Sequence, residues 1–465
     1  MVHETIDETQ DREGPSGDDA RPVLVVAWCA DVRRVGEVIP VAARAHVLGR
    51  GAEGDDARPR SALLRQRPGL NEPRPPLELP ALSRTQLVVQ AAGDVVRVEN
   101  VGRRPLIGDD GVEIERAELA VGDCVEVKGQ LLLSCAHRPA TLPRARSAGV
   151  PMSFAFGGPD PHGFVGESPL AWRLRDEMTF VAGRAGHVLV LGESGVGKEA
   201  AAQAIHAMSK RAGKPLVSRS AATIPGGIAD AELFGNLANY PNPGMPERKG
   251  MIGEADGSTL FLDEIGELPE ELQARLLRVL DERGEYHRLG EAKARRANLR
   301  LVAATNRPIS ALKHDVAARF RLRVTIPGLG ERREDIPLLA LHLLRRVAGE
   351  DEEVAARFMD GDVPRVAFAL VRALMAHAYQ THARELDALL WRSICTSPGG
   401  ELLLTPEVQA ELAVPPRPAR AVEIGADELR AALERAGGVQ ERAWRELGLA
   451  NRHVLARLLK KHGLG

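Results

Sequence analysis

The sequence predicts a multidomain chain: an N-terminal all-β sandwich, a central α/β P-loop domain and a C-terminal all-α helix-turn-helix. Three observations predict it. Residues 21–138 carry short Val- and Leu-rich runs broken by Gly-Asp and Lys-Gly, with no helical period. Residues 161–395 alternate apolar strand-like runs with amphipathic helical stretches, the pattern of a parallel sheet covered on both faces. Residues 421–465 read as three short helical stretches broken at Gly437-Gly438 and at Gly448-Leu449.

Bulk properties narrow the field. The 465 residues are 44% hydrophobic and 27% charged, a globular balance that excludes disorder for most of the chain. The formal net charge of −2 supplies no global field toward nucleic acid or membrane, so any DNA contact needs a local basic element. Cys29, Cys124, Cys135 and Cys395 form no Cys-x-x-Cys pair and join no His cluster. A disulfide framework or zinc site is therefore not expected, and a reducing cytosol fits. The polar, acidic residues 1–20 read as disordered and have no apolar core, so they are no signal peptide. No stretch approaches the roughly 18 apolar residues of a membrane span. The expected location is cytoplasmic, with no membrane partner.

Within the N-terminal part, TQLVVQAAGDVVRVEN (85–100) reads as a hairpin turning at Gly-Asp. Residues 51–80, rich in Arg, Pro and charge, read as a long loop, and 139–160, rich in Pro, Gly and Ala, as a linker. In the central part HVLVLGES, STLFLDEI and LRLVAATN are buried-strand candidates. Pro-rich residues 396–420 separate this part from the tail.

The chemistry concentrates after the first of these strands. Gly192, Glu193, Ser194, Gly195, Val196, Gly197, Lys198 and Glu199 form a glycine-rich turn that opens a helix. The glycines let backbone N–H groups face phosphate, Lys198 supplies a cation to the β- and γ-phosphates, and the helix adds its dipole. Glu199 replaces the usual Ser or Thr. The second strand ends in Asp263, placed to hold Mg²⁺ through water, and Glu264, placed to polarise an attacking water. The third ends in Thr305 and Asn306, either of which reads as a sensor of the γ-phosphate. ATP and Mg²⁺ are the expected cofactors.

With these elements in order, the chain resembles the sigma-54-dependent activators, or bacterial enhancer-binding proteins. GFVGESP, GESGVGKE with its Glu199, ELFG (232–235), EADGSTLFLDEIGELP (254–269) and ERREDIPLLA (331–340) carry the resemblance across 161–345. It implies an AAA+ ATPase domain over 161–395, with a helical lid from about 330 to 395, working as a homo-oligomer between dimer and hexameric ring. It also implies arginine fingers that neutralise a neighbour's γ-phosphate, at Lys313 and Arg319, and a lid sensor at Arg384. Lys313 stands where the family has Arg and lacks the planar fork.

The tail, 421–465, resembles a DNA-binding domain of the factor-for-inversion-stimulation type. Asn451, Arg452, His453, Arg457, Lys460 and Lys461 lie on its last helix, with the first residues facing base edges and the Lys pair phosphates. A dimerising helical hairpin with a solvated basic face would carry the same residues. The N-terminal part resembles a forkhead-associated domain at Gly49-Arg50, Leu82-Ser83-Arg84 and VENVG (98–102). That resemblance makes Arg50, Ser83 and Arg84 a phosphothreonine pocket and a phosphothreonine protein a partner. Gln86 replaces the family's His, and Arg104-Pro105 its Asn-Gly; a sandwich used for packing or dimerisation is the alternative.

One departure limits the functional reading. The family's GAFTGA loop, whose Phe and Thr touch the sigma factor, is here Asn239, Tyr240, Pro241, Asn242, Pro243 and Gly244, at unchanged spacing between Gly235 and Gly250. Arg219 also replaces an Asn that holds the catalytic Glu. Two readings stay open. One is an ATP-driven regulator on an upstream operator or enhancer that engages RNA polymerase with sigma-54. The other is a DNA-binding regulator or scaffold that does not act on sigma-54 and uses ATP only for assembly.

Overall fold

The computed structural model describes residues 20–51, 57–281 and 283–413, with Leu429, Arg430 and Leu459 in the tail. The tail residues Asn451, Arg452, His453, Arg457, Lys460 and Lys461 lie outside the described residues.

The N-terminal strands form two antiparallel sheets around one core. The larger sheet runs Leu70–Arg74, Leu63–Arg67, Val38–Pro40, Ala20–Cys29, Leu131–Pro139, Cys124–Val127, Leu106–Ile107, Glu113–Ile114. The smaller runs Arg116–Leu119, Val95–Asn100, Leu87–Ala92, His46–Leu48. Leu24, Val26, Leu133 and Cys135 of the first sheet meet Leu87, Val89, Val96 and Val98 of the second. The hairpin expected at 85–100 is present, with Ala92 opposite Val95. The long loop expected at 51–80 is corrected: Leu63–Arg67 and Leu70–Arg74 pair as a hairpin on the sheet's edge. Pro68-Gly69 is its turn, and Pro73 is tolerated because an edge strand need not donate on both sides.

The central domain holds a five-stranded parallel sheet in the order Val217–Ser220, Thr259–Asp263, Arg300–Thr305, Val188–Leu191, Leu322–Thr325. Alternate residues bury opposite faces. Val188, Val190, Phe261, Val302 and Ala304 pack under helices Pro169–Ala182 and Lys198–Ala207. Leu189, Leu260, Leu262, Leu301 and Ala303 pack under helices Ala229–Phe234, Glu270–Leu280 and His314–Arg319. Pro169–Ala182 starts where Ser168 Oγ accepts from Ala171 N (3.1 Å) with Pro169 in its first turn. It ends where buried Arg300 donates to the carbonyls of Val181, Ala182 and Gly186.

Helices Ile336–Glu350, Glu352–Phe358, Phe368–Ala376, His382–Thr396 and Pro406–Leu412 follow the sheet. Their core is shared: Trp28, Val32, Val35, Cys124 and Leu132 of the N-terminal part pack with Leu338, Leu341, Leu370 and Leu374 of the helices. Buried ion pairs reinforce the joint: Arg138–Glu334 at 2.8 Å, Arg372–Glu126 at 2.8 Å and Arg67–Glu167 at 3.1 Å. Residues 139–160 form no helix and little strand, yet they are fastened. Ser147 N donates to Asp176 (2.9 Å), and the Arg67 guanidinium lies 4.4 Å from the Phe154 ring.

Candidate nucleotide site

In an open parallel sheet, ligands bind at the carboxyl ends of the strands. Register sets three of those ends side by side: Leu191 pairs with Thr305, and Leu262, just before Asp263, with Ala303. The glycine-rich turn, the Asp263-Glu264 pair and Asn306 therefore emerge at one edge.

Lys198 opens its helix and is almost fully buried. Its ammonium donates to the carbonyls of Gly192 (3.2 Å) and Glu193 (3.1 Å) and stands 3.5 Å from Glu264 Oε1. Glu264 takes left-handed backbone angles (φ 49°), turning its carboxylate off the strand. Asn306 N donates to Glu264 Oε2 at 3.3 Å. Asp263 Oδ1 accepts from Glu264 N at 2.9 Å. Burial and the neighbouring Glu264 charge push the Asp263 carboxyl above the usual range, against the pull of that hydrogen bond, Lys198 and Arg384. The structure thus brings Lys198, Asp263, Glu264, Asn306 and Arg384 together. Thr305 is fully buried, and its hydroxyl accepts from Arg307 N, so Asn306 is the exposed member of that pair. Glu199 is exposed on the helix's first turn.

The lid touches the turn directly. Ala383 N donates to Gly195 O at 3.2 Å, and a Cβ on Gly195 would come within 2.0 Å of Thr381 O. Only glycine fits there. A contact that sequence reasoning missed lies beside it: His382 Nε2 is 3.0 Å from Glu193 Oε2. Its one signal was a histidine two places before Arg384.

Lys313 and Arg319 stand apart from this group. Lys313 pairs with Glu270 (3.4 Å) and Arg319 with Asp281 (2.8 Å), all four at least a third exposed. Arg219 is exposed on the edge strand. The rewritten loop is pinned at its base: Asn236 N and Arg248 N each donate to the other residue's carbonyl at 3.1 Å, and Arg288 donates to Asn236 O. At its tip Gly244 N donates to Asn239 Oδ1 (2.8 Å), and Tyr240 is half-exposed over Gly290.

In the sandwich, Arg50, Ser83 and Arg84 meet at one end. Arg50 N donates to Ser83 O (3.0 Å), and Ser83 Oγ accepts from Arg103 N (3.1 Å). Buried Gln86 ties this end together. Its Oε1 accepts from Ser83 N, and its Nε2 donates to Asn100 Oδ1 and Arg104 O. Among the described residues no helix is long and apolar enough to cross a membrane, and no cluster of three metal-ligating side chains occurs.

A parallel sheet with a phosphate-type loop, paired acids on the adjacent strand and a lid helix on the loop defines an AAA+ ATPase domain. Residues 164–325 match the family model "Sigma-54 interaction domain". The Nif-specific regulatory protein of Azotobacter vinelandii is 39% identical over 63% of this chain and 58% of its own length. The transcriptional regulatory protein ZraR of Escherichia coli is 36% identical over 64% of this chain and 68% of its own. NtrX of Brucella abortus, solved in complex with ATP, is 30% identical over 64% of this chain and 69% of that one, with a TM-score of 0.46. The chain belongs to the sigma-54-dependent AAA+ transcriptional regulators.

Proposed function

We propose that the protein is an ATP-dependent transcriptional regulator that hydrolyses ATP in an AAA+ assembly and binds DNA through residues 421–465. The observation that carries the ATP reading is the meeting of Lys198, Asp263, Glu264 and Arg384 at one sheet edge. Lys198 neutralises the β- and γ-phosphates. Glu264 holds and deprotonates the attacking water, and Asn306 and Arg384 read the γ-phosphate. The oxygen donors of Asp263 suit Mg²⁺, which takes one or two carboxylates alongside substrate phosphates rather than a protein cage. When bound, Mg²⁺ would supply charge neutralisation to the nucleotide phosphates. Lys313 and Arg319, each on an exposed ion pair, are free to exchange that partner for a neighbouring subunit's γ-phosphate.

The second reading, a regulator that does not act on sigma-54, rests on the loop. Pro241 and Pro243 remove two backbone donors, and Asn242 stands where the family has a Thr. Promoter melting separates the two. ATP-dependent open complexes on a sigma-54 promoter support the first; inertness with full ATPase activity supports the second. The sandwich end formed by Arg50, Ser83 and Arg84 is read as a weak phosphothreonine site at most.

A further inference from the structure

Among the described residues, three other than glycine have positive φ: Asn239 at 63°, Glu264 at 49° and His382 at 48°. Strain of this kind persists where surrounding contacts over-determine it. Asn239 shapes the rewritten loop and Glu264 is the candidate base. His382 has no role in the scheme above.

We propose that His382 is a positioning residue that fastens the lid to the phosphate loop and so sets Arg384 over the nucleotide. The proposal rests on the ATP reading. His382 is 5% exposed and begins the helix that carries Arg384. Leu329 N donates to its Nδ1 at 3.2 Å, so that nitrogen bears no proton. The ring proton therefore sits on Nε2 and is donated to Glu193 Oε2 at 3.0 Å, a tautomer assigned from its partners. The ring is wedged: a Cβ on Gly328 would come within 2.7 Å of it. The neighbours on either side complete a seam, Thr381 O against the Gly195 Cα and Ala383 N on Gly195 O. Three consecutive lid residues thus grip the loop at residues 193 and 195. Arg384, the next along, lies against the same loop: a Cβ on Gly195 would come within 3.3 Å of the Arg384 Cβ.

The left-handed φ is what aims the side chain at both partners at once. In an ordinary helical conformation the His382 side chain would leave Cα in another direction and lose either Leu329 or Glu193. The seam ties the placement of the loop to that of the lid helix.

The test uses the full chain, with steady-state ATP hydrolysis, binding of a fluorescent ADP analogue and thermal melting. His382→Ala is expected to lower kcat by about tenfold through misplacement of Arg384, with ADP-analogue affinity and melting temperature nearly kept. His382→Asn, which tolerates left-handed angles and keeps an amide donor, is expected to recover most of kcat. Glu193→Ala combined with His382→Ala is expected to lose no more than the worse single variant, because the two act as one contact. Multiplying losses would overturn the proposal, as would wild-type kcat in His382→Ala or a kcat loss that follows a fall in melting temperature. A wild-type protein that turns over no ATP overturns the ATP reading and this proposal together. Turnover in wild type that His382→Ala matches overturns this proposal alone.

Discussion

Replacing Arg138 by alanine is expected to weaken the joint between the sandwich and the lid more than any exposed ion pair does. Arg138 is 1% exposed and its partner Glu334 11%. Two of its nitrogens reach Glu334 Oε2, at 2.9 and 2.8 Å, and a third donates to Glu167 O at 3.2 Å. Truncation leaves a carboxylate buried without its cation, which costs about 3–5 kcal/mol. At roughly 1.4 kcal/mol per tenfold, the undocked fraction rises by about two to three and a half orders of magnitude. The sign of the pH dependence follows. Burial already holds the Glu334 carboxyl above its ordinary value, with Arg138 as the main opposing influence. A carboxyl raised in the folded state binds more protons folded than unfolded, so its contribution is lost as pH rises through the folded value. Without Arg138 that value moves further up, so the penalty grows as pH rises from the ordinary carboxyl range toward it. Urea titration followed by tryptophan emission reads this, because buried Trp28 and Trp172 both lie near the joint. Replacing Arg138 and Glu334 together by leucine should recover most of the loss. A shift below about 1 kcal/mol in Arg138→Ala, or one independent of pH, would refute the reasoning.

Lys198→Ala should abolish nucleotide binding, whereas Glu264→Gln should bind as before and lose turnover by about a hundredfold or more, measured by nucleotide titration and phosphate release. Asp263→Asn should raise the melting temperature while abolishing hydrolysis. The carboxyl is raised by burial, so its charged form costs stability at neutral pH, and an unchanged or lower melting temperature argues against that cost. Deleting residues 421–465 should remove operator binding, and Lys460→Ala should weaken binding to all sequences and flatten its salt dependence, measured by fluorescence anisotropy. Titrating the full chain with phosphothreonine peptides should give weak binding or none; tight binding lost in Arg50→Ala would show that Arg104-Pro105 is no obstacle.

The chemistry was legible because it sits on strands with long apolar runs. Val188–Leu191, Thr259–Asp263 and Arg300–Thr305 are the three strands that the sequence marked. The flanking strands Val217–Ser220 and Leu322–Thr325 were missed because as edges they need little apolar content and alternate with Ser, Arg and Thr. The Leu63–Arg74 hairpin hid for a similar reason, under arginines that pair with Glu37 and Glu167 rather than with water. The docking of the sandwich left a trace that went unread. RPVLVVAWC is apolar at nearly every position, and a strand with one wet face would alternate. The position of His382 two places before Arg384 was too slight a signal to single it out, because its conformation and both partners belong to the tertiary arrangement.

The shared core also bears on how such a chain is rearranged. Trp28, Val32 and Leu132 share one buried cluster with lid residues such as Leu338 and Leu341. The sandwich is thus not a cassette. Cutting at 139–160 would bare two complementary apolar surfaces, each a site for self-association. A foreign sensor grafted in its place would have to bring a matching face, together with a cation for Glu334 and an anion for Arg372. An altered side chain on the sandwich side of this cluster asks for an answer on the lid side, so the two halves of the joint are constrained to change together.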